Sequence, residues 1–217
     1  MIAVSHADAD HCNGLIFLLE NFAVGALWVN DTEASGESFQ TLLAVARRKG
    51  LAIHQARAGD AWNDGGMTLS CLANLAGDER NAGLVLRFQD GDFSMLFPGD
   101  IDTKMEALLM ASGVAVESDI LLAAHHGARA SNSAALLATV RPKLVIVSAS
   151  VRRAGTFPST ALVTRCRAMM LPLVTTGELG SVFVRWRQGG FVYSGWPPLP
   201  ASAELGSLRF FPSTPAN

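Results

Sequence analysis

Four side chains able to bind a metal ion, His6, Asp8, Asp10 and His11, stand within six residues of one another near the N-terminus. If the backbone there is extended and then turns, they converge on one small volume. Imidazole and carboxylate together suit zinc or a similar divalent ion. Residues 1–4 read as the end of a buried strand, and residues 13–19 as the first turns of an apolar helix. The cluster therefore falls in a strand-to-helix loop, where rigid elements commonly present functional residues. The competing reading is a polar loop with a fortuitous Asp-x-Asp and a helix N-cap. Asp10 alone would fit that description, but the flanking imidazoles of His6 and His11 favour coordination.

The chain has 217 residues, 49% of them hydrophobic and 17% charged, enough for one domain with a sizeable core. No apolar stretch reaches the ~18–20 residues of a membrane span, and no basic region followed by a hydrophobic run marks a leader. Taken alone, the chain reads as soluble. Three well-separated cysteines, Cys12, Cys71 and Cys166, argue against a disulfide framework. Cys12 follows His11 and either lies near the metal or, the favoured reading, fills the helix core as a small hydrophobe.

A net charge of −2 conceals an asymmetry. Residues 1–119 carry 7 Lys and Arg against 17 Asp and Glu, and residues 120–217 carry 10 against 2. The basic half includes Arg129, Arg141, Lys143, Arg152, Arg153, Arg165 and Arg167. Such a surplus suits a polyanion such as nucleic acid, and equally a solvated surface balancing the acidic half.

Strand and helix patterns alternate along the chain. Strands are expected at residues 25–30, 51–55, 67–72, 120–124, 144–148 and 173–176. Residues 84–88 and 93–97 flank Gln89-Asp90-Gly91-Asp92, a hairpin signal, and residues 181–187 and 190–194 form a last hairpin. Helical spacing marks residues 38–49, where Phe39, Leu42, Leu43 and Ala46 share a face, and residues 104–111, 133–140 and 158–170. Helices covering two facing sheets, an α/β layered architecture, would fit this order. Residues 1–195 form that domain. From Trp196 the chain changes character, with five prolines in twenty-two residues, and an irregular tail over residues 196–217 is expected.

Two further segments complete a candidate site. In Leu96-Phe97-Pro98-Gly99-Asp100 an apolar strand ends in Gly-Asp, which places a carboxylate where it could bridge two cations; alone, it would read as a turn aspartate. In residues 120–127 a buried strand runs into His125-His126-Gly127, one ring suited to a metal and the other to orienting it or meeting substrate. His54, on a half-buried strand without ligand neighbours, reads as structural.

His-x-Asp-x-Asp-His, then Gly-Asp-Ile, then His-His-Gly, each after a strand, resembles the metallo-β-lactamase fold, an αββα sandwich. The forms Ser-His-x-Asp-x-Asp-His, Phe-Pro-Gly-Asp-Ile and Ala-His-His-Gly-Ala resemble the C-terminal domain of ComEC-type DNA-internalization competence proteins, and the likeness extends through residues 142–148 and 176–182. The resemblance implies that His6 and Asp8 hold one metal, that Asp10, His11 and one of His125 and His126 hold a second, and that Asp100 bridges them, with zinc or manganese as the ions. It implies a nuclease that degrades the strand not imported during DNA uptake. Two cations ~3.5–4 Å apart would activate water and polarise the phosphoryl group, and Asp10 could also accept a proton. Arg129, Ser131, Arg152 and Arg153 are the expected substrate contacts, with single-stranded DNA as partner. The family's domain is attached to the inner membrane on its outer side, so a membrane channel protein or a missing N-terminal segment is a further expected partner.

This sequence also departs from the family pattern. A β-rich segment precedes the His motif in the family, whereas this chain begins four residues before it. On that account part of the N-terminal sheet would be lacking, and residues 1–4 would form a strand without neighbours. Arg80-Asn81-Ala82-Gly83 keeps only part of an Asn-rich segment. Arg152-Arg153-Ala154-Gly155-Thr156-Phe157-Pro158 lacks the family's Asn and His, Thr176-Gly177 replaces Thr-Asp, and Ala128 stands in place of Ser. Three functions are therefore expected as alternatives: a competence-type phosphodiesterase or nuclease, a metallo-hydrolase of a small ester, lactone or amide, and a truncated non-catalytic remnant.

Overall fold

A computed structural model describes residues 1–75, 83–150, 157–187, 189–196 and, as backbone, 209–212. Among these residues, three sheets and six α-helices build four layers. Strands β1 (Ile2–Ala3), β2 (Ala26–Val29) and β3 (Ala52–Gln55) pair in parallel as a first sheet, in the order β1-β2-β3. Parallel neighbours need crossovers, and two helices supply them: α1 (Ala9–Asn21) and α2 (Glu37–Arg48). Their apolar faces bury Cys12, Leu19, Phe39, Leu42 and Leu43 against Val4, Leu27 and Val29.

The central sheet has seven strands, in the order β10-β9-β8-β7-β6-β5-β4. Strands β4 (Ala61–Asp64), β5 (Met67–Leu75), β6 (Gly83–Asp90) and β7 (Phe93–Phe97) form an antiparallel meander. Strands β8 (Ile120–Leu122), β9 (Leu144–Val147) and β10 (Leu173–Thr175) then add in parallel through α3 (Thr103–Ala111), α4 (Ala134–Val140) and α5 (Thr160–Ala168). These three helices cover one face of the sheet, burying Met105, Leu109, Leu136, Leu137, Leu162 and Cys166 against Val85, Leu96, Leu121 and Val145.

The other face meets two sheets. Trp28 of β2 packs with Leu84 and Leu86. The third sheet is an antiparallel ribbon of β11 (Ser181–Arg187), β12 (Gly190–Trp196) and β13 (Arg209–Pro212), entered through the short helix α6 (Thr176–Leu179). It packs Phe191 and Tyr193 over Phe93, Ile120 and Ile146. The result is a helix–sheet–sheet–helix stack.

Four expectations are corrected by this arrangement. The N-terminal strand does have a neighbour, since β1 pairs with β2 and Val4 N–H donates to Trp28 O at 2.9 Å. Strand β4 was not among the expected strands, yet its Asn63 and Asp64 pair with Thr68 and Met67 of β5. The strand expected at 120–124 ends at Leu122 and gives way to a 3-10 turn, Ala124–Gly127. Within the segment expected to be an irregular tail, Arg209–Pro212 pairs with β12.

Candidate metal centre

The first half of the centre grows from β1 and α1. Asp8 occupies the N-cap position of α1, but its side chain makes no cap bond. Asp10 and His11 lie on the first helical turn rather than in a loop, and the positive end of the helix favours the Asp10 carboxylate there. Ser5 Oγ sits 3.0 Å from His6 Nδ1 and 3.2 Å from His11 Nδ1. A hydroxyl oxygen has two lone pairs, so it accepts from both rings when each carries its proton on Nδ1. That tautomer leaves both Nε2 lone pairs bare. Both Nε2 atoms are buried and have no hydrogen-bond partner.

What they face is Asp100. Its carboxylate lies 3.7 Å from His6 Nε2, 3.5 Å from His11 Nε2 and 3.9 Å from His125 Nε2. Gly99 delivers it: at φ +65° the chain turns with Leu84 O and Ser5 Cβ each 3.3 Å from where a Cβ would stand. The cap of α3 falls to Asp102 instead, which accepts from Lys104 N–H and Met105 N–H at 3.0 Å each. Burial works against the Asp100 charge, but His11, His6 and His125 outweigh it and hold its pKa below the usual carboxylate value. Burial also lowers His6, helped by its neighbour His11. His11 is pulled down by burial too, yet the Asp100 carboxylate, with Asp10 and Asp8, more than offsets this and raises it.

The second half of the centre is the double-histidine turn. His125 (φ 49°, ψ 49°) and His126 (φ 54°, ψ 23°) are both left-handed, a conformation uncommon for non-glycine residues and unusual in succession. A buried network holds them there. Asn132 Oδ1 accepts from Ala124 N–H at 2.8 Å, and its Nδ2 donates to Ala124 O at 2.9 Å. The fully buried Glu106 accepts from Asn132 N–H and, at 2.9 Å, from Ser133 N–H. Arg165 Nη1 donates to the carbonyls of Ser131 and Asn132 at 3.0 and 2.9 Å. His125 N–H donates to Gly99 O at 3.1 Å, tying this turn to the Asp100 strand.

His126 Nδ1 lies 2.9 Å from Ser148 O. A carbonyl only accepts, so that nitrogen carries a proton. Nε2 then faces Asp10 Oδ2 at 3.1 Å. Two acceptors in this position require a proton or a cation between them.

Two donor sets result: His6, His11 and Asp100, and Asp10, His11 and His126. With the orphaned Nε2 atoms, this nitrogen and oxygen set fits a divalent ion. His11 is common to both sets, a partition different from the one implied by the resemblance. Asp8, 3.8 Å from His6 Nε2, and His125, 3.9 Å from Asp100, stand at the rim of the cluster and in neither set. Beside the cluster lies a chamber of about 420 Å³ walled by Leu15, Leu69, Leu84, Leu86 and Phe97. A more open groove of about 920 Å³ runs past Asp10, Asn13, His126 and Ser148 to Thr176 and Gly177 of α6.

Other expectations are corrected. Ser131 is fully buried and donates to Ile101 O at 2.8 Å, so it braces the loop and does not meet substrate. Arg165 is half-buried structure rather than solvated surface. His54 is exposed and has a carboxylate partner, Asp60 Oδ2 at 2.7 Å, where none was expected. Cys12, by contrast, is fully buried as the favoured reading had it, and burial pushes its thiol up to about 11, so it packs as an apolar group. Arg129 is exposed directly after the double-histidine turn. Arg152 and Arg153, and the segment from Arg80 to Ala82, lie outside the described residues.

Sequence reasoning passed over Ser5, Glu106, Asn132, Ser148 and Arg165 as site residues. One signal was available: Glu106 is a lone carboxylate in an otherwise apolar helical stretch, Met105 to Met110.

No family model matches the chain. Curated relatives do. The chain is 24% identical over 204 residues to ComE operon protein 3 of Bacillus subtilis, covering 93% of this chain and 26% of that protein. It is 32% identical over 114 residues to competence protein ComA of Neisseria gonorrhoeae, covering 52% of this chain and 16% of ComA. Recombination protein 2 of Haemophilus influenzae is 26% identical over 190 residues, covering 86% of this chain and 22% of that protein. The chain thus spans about a quarter or less of the length of these relatives. Among solved structures, a mutant of the CmlA β-hydroxylase superposes with a TM-score of 0.53 at 14% identity, covering 80% of this chain and 42% of that one. A Parabacteroides distasonis protein assigned as a metal-dependent hydrolase superposes with a TM-score of 0.52 at 10% identity, covering 81% and 76%. Motif order and layer architecture give the chain the metallo-β-lactamase fold, and in sequence it is similar to ComEC-type competence proteins.

Proposed function

We propose that the chain is a divalent-metal-dependent phosphodiesterase that acts as a nuclease on DNA, single strands above all, during natural competence. The observation that carries the hydrolytic reading is the pair of buried, unpartnered Nε2 atoms of His6 and His11 turned toward Asp100. The competence relatives support the DNA substrate. In this reading His6, His11 and Asp100 would hold one cation and Asp10, His11 and His126 a second, with Asp8 and His125 at the rim. Bound zinc or manganese would supply Lewis-acid polarisation of a phosphoryl oxygen and a more acidic water.

The chain's own residues do the rest. Asp10, exposed at the mouth of the groove, takes a proton from the attacking water. Ser5 and the Ser148 carbonyl fix the rings of His6, His11 and His126 so that Nε2 points inward. Arg129, with Arg152 and Arg153, meets the phosphate backbone. No covalent protein nucleophile is needed.

Zinc- or manganese-loaded protein should cleave single-stranded DNA, and Asp10→Ala should slow it by about 100-fold or more. Intact DNA with both proteins, at full metal loading, would overturn the proposal.

The apolar chamber beside the cluster favours a second reading, hydrolysis of a small ester or lactone whose hydrocarbon body fills it. Neutralising Arg129, Arg152 and Arg153 separates the two. Loss of activity with a steep salt dependence supports nucleic acid, and unchanged ester hydrolysis supports the small substrate. The non-catalytic alternative predicts less than one bound metal per chain and no turnover of either substrate.

A further inference from the structure

Strand β11 alternates two unlike faces. Val182 and Val184 turn into the core formed with Phe191 and Tyr193. By the two-residue period of a strand, Phe183, Arg185 and Arg187 project to the opposite side. Phe183 is 53% exposed and both arginines are exposed. In register, Phe183 lies opposite Ser194 and Ser181 opposite Trp196. Trp196, 60% exposed, is therefore the diagonal neighbour of Phe183 on this outer face, about 7–8 Å away. The contrast with Trp186 is instructive. That indole stacks on Phe93 at 4.8 Å and donates to Asp90 Oδ2 at 2.7 Å, so its aromatic face is already used.

We propose that this outer face of the third sheet is a platform for single-stranded nucleic acid, with Phe183 and Trp196 stacking successive bases and Arg185, next along the strand beyond Phe183, meeting the adjoining phosphate. Two exposed rings and a guanidinium on one face of a sheet match the chemistry of such a strand, whose bases offer apolar faces and whose backbone is anionic. No carboxylate among the described residues pairs with Arg185, whereas Arg187 shares a small pocket with Asp90 and Asp92. The location suits the purpose. Trp196 bridges Gly180, three residues from the Gly177 that lines the groove holding Asp10 and His126. The platform takes its ligand class from the nuclease reading, but its binding does not depend on metal or turnover.

The test is fluorescence anisotropy of a labelled oligothymidylate of about 20 nucleotides with the full chain in chelator, where cleavage is off. Binding that weakens with salt is expected. Phe183→Ala or Trp196→Ala should weaken it about tenfold each. Arg185→Gln should lower the slope of log affinity against log salt by roughly 0.7. Phe183→Tyr should bind normally, and all variants should keep the wild-type circular dichroism spectrum. No binding by the wild-type chain, or equal binding by the alanine variants, would overturn the platform. So would variants that change only the oligomeric state in light scattering, since the face would then join copies of the chain. Binding lost in the variants while metal-loaded protein leaves DNA uncut would support the platform and count against the nuclease. Cleavage of DNA with alanine variants that bind normally would do the reverse.

Discussion

The two halves of the centre hold their side chains by opposite means. Asp10 and His11 ride on the first turn of α1, His6 sits in the short bend between β1 and that helix, and one hydroxyl, Ser5, orients two rings. His125 and His126 ride on two consecutive left-handed residues whose conformation costs free energy, of order 1–3 kcal/mol each. Such a turn persists only because its surroundings over-determine it. Glu106 from α3, Asn132 from the loop beyond and Arg165 from α5 converge on it. Local sequence suffices for the first half, and the second needs the assembled fold.

The sharpest way to break this contrast is Glu106→Ala. The carboxylate is fully buried and accepts from two backbone N–H groups, both of which the substitution would leave without a partner. At about 1–3 kcal/mol for each buried unsatisfied donor, the loss should be roughly 2–6 kcal/mol. Denaturant midpoints in chelator would measure it, and Glu106→Gln, which keeps one carbonyl acceptor, should fall between. Equal stability of all three proteins would mean that the turn needs no buttress.

Asn132 sharpens the same point, because it too is left-handed, at φ 59°. Asn132→Ala removes both bonds to Ala124 and keeps a β-carbon at a positive φ without the polar side chain that lets Asn tolerate it, so a loss of about 2–4 kcal/mol is expected. Asn132→Gly removes the same bonds without that strain and should be the more stable variant by about 1 kcal/mol. If alanine and glycine match, backbone strain is no part of the role of this residue.

Legibility in the sequence followed the same divide. The cluster at residues 6–11 was visible because its ligands and its supports lie in one short run. Strand-then-glycine patterns exposed Asp100 and His125-His126 for the same reason. Glu106 stood out as a lone carboxylate in an apolar run, but its partners were hidden, since nothing in that run says it will meet backbone N–H groups 26 residues later. Ser131 misled because a serine after His-His-Gly reads as a polar contact, while its hydroxyl is spent on Ile101 O. Strand β4 was missed since Asn and Asp are poor strand formers on their own, and pairing with β5 overrides that preference. The layers themselves followed from the alternation of strands and helices, with boundaries off by a few residues.

On the N-terminal half, Ser5→Ala should leave stability almost intact while weakening metal. The hydroxyl is a partner to two ring nitrogens and little else, so unfolding in chelator should change by less than about 1 kcal/mol. Zinc affinity, titrated against a competing chelator, should fall roughly 10–100-fold, the usual consequence of losing the group that orients a ligating imidazole. A large loss of stability without a change in affinity would show that Ser5 braces the fold and does not set the rings.

The smallest expected effect separates ligand from cap at Asp8. Both Asp8 and Asp102 stand at helix N-cap positions, but only Asp102 bonds backbone N–H groups through its carboxylate, to Lys104 and Met105. Asp102→Ala should therefore cost the ~1 kcal/mol typical of a lost cap. Asp8→Ala forfeits no such bond, and in metal-free protein it should change stability by less than about 0.5 kcal/mol. Its carboxylate instead lies 3.8 Å from the orphaned Nε2 of His6, so any penalty should emerge only when zinc is present and be read as affinity. Equal losses for the two aspartates in chelator would assign Asp8 to the helix, and the run at residues 6–11 would then supply three ligands to the centre and one cap to α1.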